Sequence, residues 1–110
     1  MRKFGRETDQ RRAFIRSLAS NLVLNEKIKT TEARAKELRS FVERIITQTK
    51  SGNLAGLRLA KKELSAPALK KLSKEIAPRF KEKRSGYTRI TKLGRRMSDS
   101  ASMAFIELIK

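Results

Sequence analysis

The chain has 110 residues, with 28 Lys and Arg against 11 Asp and Glu, which gives a formal net charge of +17 at pH 7. It contains no Cys and no His, which excludes disulfides and thiolate chemistry and removes nearly all zinc and transition-metal sites. This length is typical of one domain with a single modest core. A strongly basic chain without the usual catalytic side chains indicates a polyanion binder, with nucleic acid as the first candidate.

The first residues lead into more charge rather than into an apolar stretch, and no apolar run approaches twenty residues. The sequence therefore predicts a cytoplasmic protein without a secretory signal or a membrane span. A basic surface could also touch an anionic membrane, but a peripheral anchor needs bulky apolar residues opposite its basic face. Here the apolar residues are needed for the core, so no membrane partner is expected.

Residues 1–8 are expected to form a basic N-terminal arm, separate from a single α/β RNA-binding domain at residues 9–110. The arm is expected to be extended, because it has little apolar surface to bury; its basic residues are Arg2, Lys3 and Arg6. From Asp9 the apolar residues recur at helical spacing, which predicts a first helix. Cations near its amino end oppose the helix macrodipole and so do not stabilise the helix. Their presence there is better explained by the binding of a phosphate, which would contact both the side chains and the free backbone N–H groups of the first turn. These cations are Arg11, Arg12 and Arg16.

A turn at residues 25–27 and a short strand candidate at residues 28–30 follow the first helix. Thr31 is expected to cap a long second helix, which the Ser51-Gly52-Asn53 cluster ends. Third and fourth helices follow, and Pro78 is expected to stop the fourth because proline cannot continue a helix.

Two segments near the end of the chain, residues 87–93 and 103–109, read as strands because they are rich in β-branched, aromatic and apolar residues. We expect them to pair antiparallel, the strand at residues 27–30 can join them, and a long helix can cover one face of the sheet. The element order is then α-β-α-α-α-β-β. The expected fold class is α+β: a two-layer α/β domain with a small mixed or antiparallel sheet packed against helices.

The charge is concentrated in two segments. Residues 1–16 carry six bases and two acids, and residues 79–96 carry eight bases and only Glu82. Solubility needs far less charge than this, so both segments are expected to contact phosphate, whereas the lysines of the middle helices are more simply a solvated face. The residues predicted to bind RNA are Arg2, Lys3, Arg6, Arg11, Arg12, Arg16, Arg79, Arg84, Tyr87, Arg89, Lys92, Arg95 and Arg96.

Two aromatic residues leave alternatives open. Tyr87, beside Gly86 and before Arg89, could stack on an exposed base, or it could be a half-buried strand tyrosine. Phe80 is better explained as a core or loop anchor than as a stacking residue. The sequence has no Walker loop and no GxGxxG fingerprint, and its serines and threonines have no histidine base. We therefore expect no catalytic residues, no cofactor, no metal and no small-molecule substrate.

Several motifs occur in order along nearly the whole chain: Arg11-Arg12-Ala13-Phe14-Ile15-Arg16, Ile28-Lys29-Thr30-Thr31, Ala77-Pro78-Arg79-Phe80, Gly86-Tyr87-Thr88-Arg89-Ile90, Gly94-Arg95-Arg96 and Met103-Ala104-Phe105-Ile106-Glu107-Leu108. In these motifs the chain resembles the bacterial large-subunit ribosomal protein family seventeen (L-seventeen). It departs from the family in the arm, which lacks the usual histidine and Asn-Arg pair, and at Ser85, where a glycine is usual.

The resemblance implies a two-layer α/β domain that binds large-subunit ribosomal RNA as a structural constituent of the large ribosomal subunit, near the polypeptide exit region. It also implies neighbouring large-subunit ribosomal proteins as partners. Two other functions are weaker alternatives. A DNA-binding regulator would need a helix-turn-helix or a dimer seam, and neither is evident. An RNA-modifying enzyme would need catalytic groups that the sequence does not contain.

Overall fold

The computed structural model describes residues 2–50, 54–82 and 86–109, and the side chains from residue 9 onward. The elements are α1 (Arg2–Asn25), β1 (Lys27–Thr31), α2 (Glu32–Thr49), α3 (Leu54–Glu63), α4 (Ala66–Lys71), a π-helical turn (Leu72–Ile76), α5 (Ala77–Arg79), β2 (Thr88–Arg95) and β3 (Ser102–Leu108). The segment from α4 to α5 runs on without a break as the fourth helix of the chain. The predicted α+β class and element order are therefore confirmed.

Helix α1 begins at Arg2, so the extended conformation expected for residues 2–8 is wrong. The physical reason is that this segment is rich in Arg, Lys and Glu, whose intrinsic helix propensity outweighs Gly5 and the unfavourable cations of the first turn. The helix ends at Asn25 because Glu26 adopts a left-handed backbone conformation, with φ of 65°. The division of the chain into an arm and a domain at residue 8 stays a prediction.

Helix α2 begins as expected, because the Thr31 side chain accepts a hydrogen bond from the Arg34 backbone N–H at 3.3 Å. Its apolar residues fall on one stripe and are buried: Ala35, Leu38, Val42, Ile45 and Ile46. The helix extends to Thr49, with Lys50 as its C-cap. The Ser51-Gly52-Asn53 cluster that was expected to end it lies outside the described residues.

Gly56, in the first turn of α3, lies against the backbone of α2 at Gln48 and Thr49. A Cβ atom at this position would lie 1.9 Å from the Gln48 backbone oxygen of α2. Any side chain would therefore push the two helices apart, and this steric requirement outweighs the cost of a glycine within a helix.

The fourth helix contains a π-helical turn immediately before Pro78. A proline in a helix lacks the backbone N–H and its ring clashes with the carbonyl four residues earlier. The wider turn at Leu72–Ile76 lets the chain continue through Pro78 and end at Arg79, one residue later than expected. Phe80 follows and is buried in the core, as predicted.

The three strands form one antiparallel sheet in the order β1-β3-β2, so the last strand of the chain lies in the centre. Ile106 of β3 pairs with Ile28 on one side and with Ile90 on the other. This row faces the helices, because Ile106 is fully buried in the same core cluster as the stripe of α2. A β-bulge between Lys92 and Gly94 shifts the register near the end of β2.

Candidate nucleic-acid interface

Helices α1 and α2 form a surface groove of about 540 Å³, and a second depression of about 420 Å³ adjoins it along the same two helices. We call the two together the arginine groove. It is lined by Arg11, Arg12, Arg16, Arg34 and Arg44, by Phe14 and Phe41, and by Glu37 and Glu63. Five arginines and two glutamates give these residues a net charge of +3, so the groove suits an anion.

The two glutamates hold two of the arginines in place. Arg16 donates from Nε to Glu63 at 2.8 Å, and this hydrogen bond raises the pKa of Arg16. Arg11 lies 3.6 Å from Glu37. Such contacts on an exposed surface add little stability, but they restrict the orientations of long side chains. The guanidinium groups are therefore oriented in the groove before any ligand arrives.

Two further arginines lie over aromatic rings at the edge of the groove. The Arg34 guanidinium lies 4.5 Å from the ring centre of Phe14, and the Arg44 guanidinium lies 5.5 Å from that of Phe41. Phe14 is 44% exposed, so its ring is accessible at the edge of the groove. A guanidinium stacked on a ring keeps its N–H edge available, and this edge matches two oxygens of a phosphate.

The β2–β3 hairpin carries four of the predicted cations, at residues 89, 92, 95 and 96, and all four are exposed. Arg89 contacts Glu107 at 2.7 and 2.8 Å, and Lys92 lies 3.6 Å from Glu32. Arg95 is exposed at the end of β2. Because the strand alternates, Arg89 and Lys92 lie on opposite faces of the sheet, which limits how many of these cations one ligand can contact.

Arg96 and Asp99 close the loop of this hairpin. Arg96 donates two hydrogen bonds to the Asp99 carboxylate, at 3.0 and 2.6 Å, and the pair lowers the pKa of Asp99 to about 2. The Arg96 backbone N–H also donates to the Ala101 oxygen at 2.8 Å. In the described structure Arg96 therefore helps to order the loop. Its guanidinium would have to leave Asp99 before it could bind a phosphate with two hydrogen bonds.

Tyr87 does not lie at the surface. Its side chain is fully buried, and its ring packs against Phe80 with the ring centres 5.1 Å apart. The hydroxyl lies 3.2 Å from Thr47 Oγ1 and accepts a hydrogen bond from Lys50 Nζ at 2.9 Å. The interpretation of Tyr87 as a base-stacking residue is therefore corrected, because its ring belongs to the core.

Arg79 likewise has an internal partner. Its guanidinium donates to Glu26 at 2.5 Å, and Lys71 lies 3.1 Å from the other oxygen of the same carboxylate. The Arg79 hydrogen bond is the main reason why the pKa of Glu26 falls from 4.5 to about 2. Since the Arg79 side chain is only 25% exposed, its main role in this fold is to tie the end of the fourth helix to the α1–β1 turn.

The remaining predicted residues cannot be placed in this way. The side chains of Arg2, Lys3 and Arg6, and the whole of Arg84, lie outside the described part of the structure. In the other direction, Arg34 and Arg44 line the groove but are absent from the sequence-based prediction. A local signal for them exists, because each directly precedes a buried position of α2, Ala35 or Ile45, and so borders the apolar stripe.

Within the described ranges, no helix is long and apolar enough to cross a membrane, and no group of three acidic residues is arranged to hold a metal ion. Fold and surface together define the class: a small, basic α+β domain with an arginine-lined groove. A family model described as Ribosomal protein L17 matches residues 14–109. The match covers most of the chain, which therefore belongs to the ribosomal protein L17 family. This is a family of large-subunit ribosomal proteins of the cytoplasmic ribosome, structural rather than catalytic.

Proposed function

We propose that this protein binds and stabilises large-subunit ribosomal RNA, and that the arginine groove is its principal contact with the phosphate backbone. The observation that carries the proposal is the convergence of five arginines from two helices on one groove that contains only two carboxylates. These arginines are separated in the sequence, and they come together because helices α1 and α2 pack against each other.

The chemistry favours RNA because a folded RNA presents closely spaced phosphates from neighbouring strands. Each phosphate neutralised in the groove releases condensed counterions, which drives association without any base contact. Arginine suits this role better than lysine, since its planar fork can bond two phosphate oxygens at once. Double-stranded RNA is recognised mainly through its shape and backbone, so a groove of fixed cations is an appropriate receptor.

The exposed cations of the hairpin offer further phosphate contacts on both faces of the sheet, with Arg89 on one face and Lys92 on the other. A structural constituent of a ribonucleoprotein gains from contacts on more than one side, because it then holds separate RNA segments in a fixed relation. The placement near the polypeptide exit region, with other large-subunit proteins as neighbours, rests on the family alone.

Retention on large ribosomal subunits tests the proposal. Arg12 and Arg44 are the suitable pair to replace, since neither has a glutamate partner among the described contacts that would be left behind in the groove. An R12Q/R44Q variant should leave washed subunits at lower salt than the unaltered protein does. A K70Q/K74Q variant, which removes two exposed cations from the fourth helix, should be retained like the unaltered protein.

Equal retention of both variants would contradict the proposal that the groove is the principal contact. Proximity to the exit region is tested separately by crosslinking the exposed lysines in intact ribosomes. The proposal predicts links to proteins around the exit. Links confined to proteins of the subunit interface would contradict the placement near the exit region, but they would not affect the proposal that the groove binds RNA.

A further inference from the structure

The sheet has a second face, which the helices leave open. Core residues of β3 alternate with residues of the opposite face. On that face, the row nearest the β-bulge has the buried Met103 at its centre, between Thr31 and Gly94, and two further rows cross the three strands. One row runs from Lys29 through Phe105 to Thr91, and the other runs from Lys27 through Glu107 to Arg89. We call these six residues the open sheet face.

The open sheet face combines one central aromatic ring with cations at its edges. Phe105 lies in the middle of the central strand and is partly exposed, whereas Lys27, Lys29 and Arg89 on the outer strands are exposed. The Lys27 ammonium lies 4.3 Å from the centre of the Phe105 ring. The face has a single carboxylate, Glu107, and Arg89 already pairs with it at 2.7 Å.

This arrangement has the chemistry of a stacking platform for an unpaired base. An aromatic ring on a sheet accepts the flat face of any base, and flanking cations accept the phosphates on either side of it. The Lys27 ammonium that lies over the ring is mobile on its long side chain, so an arriving base can displace it towards a phosphate. A protein partner fits less well, because one aromatic residue among charges offers little of the apolar core that protein interfaces bury.

We propose that the open sheet face binds a single-stranded segment of RNA, with one base stacked on Phe105 and the adjoining phosphates held by Lys27 and Lys29. The proposal deepens the proposed function, since it rests on RNA being the partner, but it concerns a different surface. The arginine groove lies between the helices, whereas the open sheet face is turned away from them. The domain would then hold a folded RNA element on one side and an unpaired strand on the other.

Two RNA probes separate the two surfaces: a ten-nucleotide oligouridine and an RNA duplex of twelve base pairs, each measured by fluorescence anisotropy with the full chain at the same salt. F105L removes the π face and keeps an apolar side chain, so it should lower oligouridine affinity by roughly five- to one-hundredfold and leave duplex affinity within about twofold. F105Y keeps the ring and should bind oligouridine like the unaltered protein. R12Q/R44Q should weaken the duplex more than the oligouridine.

The outcomes distinguish this proposal from the one on which it rests. Oligouridine binding that is insensitive to F105L overturns the sheet proposal alone, while a duplex affinity insensitive to R12Q/R44Q counts against the groove alone. Equal losses with both probes in F105L, with a lowered melting temperature, would mean a folding defect and also overturn the sheet proposal. A photo-reactive phenylalanine at position 105 gives an independent result in the assembled subunit: crosslinks to ribosomal RNA support the proposal, and crosslinks only to protein refute it.

Discussion

Replacement of Arg12 and Arg44 by glutamine should reduce the salt dependence of RNA binding by a definite amount. The groove residues have a net charge of +3, from five arginines and two glutamates, and the double variant removes two of the positive charges. Each phosphate contact contributes about 0.7–0.9 to the slope of log affinity against log salt. If both arginines contact phosphate, the slope should become shallower by about 1.4–1.8.

Raising the salt from 50 to 200 mM lowers the affinity of both proteins. With this difference in slope, the fold-loss for the variant should be roughly one tenth of the fold-loss for the unaltered protein. The assay is an anisotropy titration against a duplex RNA probe at several salt concentrations in that range. The control is K70Q/K74Q, which changes the net charge by the same amount on the exposed face of the fourth helix. Lys71 is avoided because it contacts Glu26. Equal changes of slope in the two variants would refute the reasoning, since binding would then depend on total charge and not on the groove.

The remaining predictions concern what holds the groove and the sheet in place. The pKa of Glu26 is lowered to about 2 in the folded protein. The stability that its ion pairs contribute is therefore fully present above the unfolded-state pKa near 4.5, and it is lost as the pH falls towards 2. The shift in pKa corresponds to at most about 3 kcal/mol of stability, and solvent screening reduces this to about 1–2 kcal/mol. E26Q should therefore lower the free energy of unfolding by about 1–2 kcal/mol at pH 7 and by much less at pH 2. Urea titrations at both pH values measure this, with E75Q, at an exposed glutamate, as control; a loss that does not depend on pH would contradict it. G56A should destabilise the protein by about 1–3 kcal/mol although alanine favours helix, because the new methyl group would meet the Gln48 carbonyl; an unchanged or raised melting temperature would show that α3 can move away at no cost. Y87F removes a hydroxyl that bonds Lys50 and Thr47, so it should cost about 1 kcal/mol of stability and leave RNA affinity unchanged; a loss of RNA affinity without a loss of stability would return Tyr87 to the binding site.

Local patterns predicted the elements of this fold well, because each amphipathic helix and each strand shows its period over a few residues. The buried stripe of α2 and the position of its cap at Thr31 are examples. The predicted start of α1 is wrong, because the prediction treated a segment with little apolar surface as non-helical. The intrinsic helix propensity of Arg, Lys and Glu is sufficient to continue the helix to Arg2.

The candidate site was only half predictable. Arg11, Arg12 and Arg16 stand out because they concentrate charge near the amino end of a helix. Arg34 and Arg44 border the apolar stripe of α2, which is a weak local signal. That they share a groove with the arginines of α1 follows only from the crossing of α1 over α2, which no local pattern encodes. The same holds for Tyr87, whose burial depends on Phe80 and on a hydroxyl contact to a helix some forty residues earlier in the chain.

Ultraviolet crosslinking in assembled large subunits, followed by identification of the crosslinked peptides, tests the central claim most directly. If the arginine groove is the principal contact, nucleotides of ribosomal RNA should be attached to the peptides that contain residues 10–16 of α1 and residues 34–44 of α2. Crosslinks confined to the lysine-rich surface of α3 and α4, with none in either groove peptide, would contradict the account.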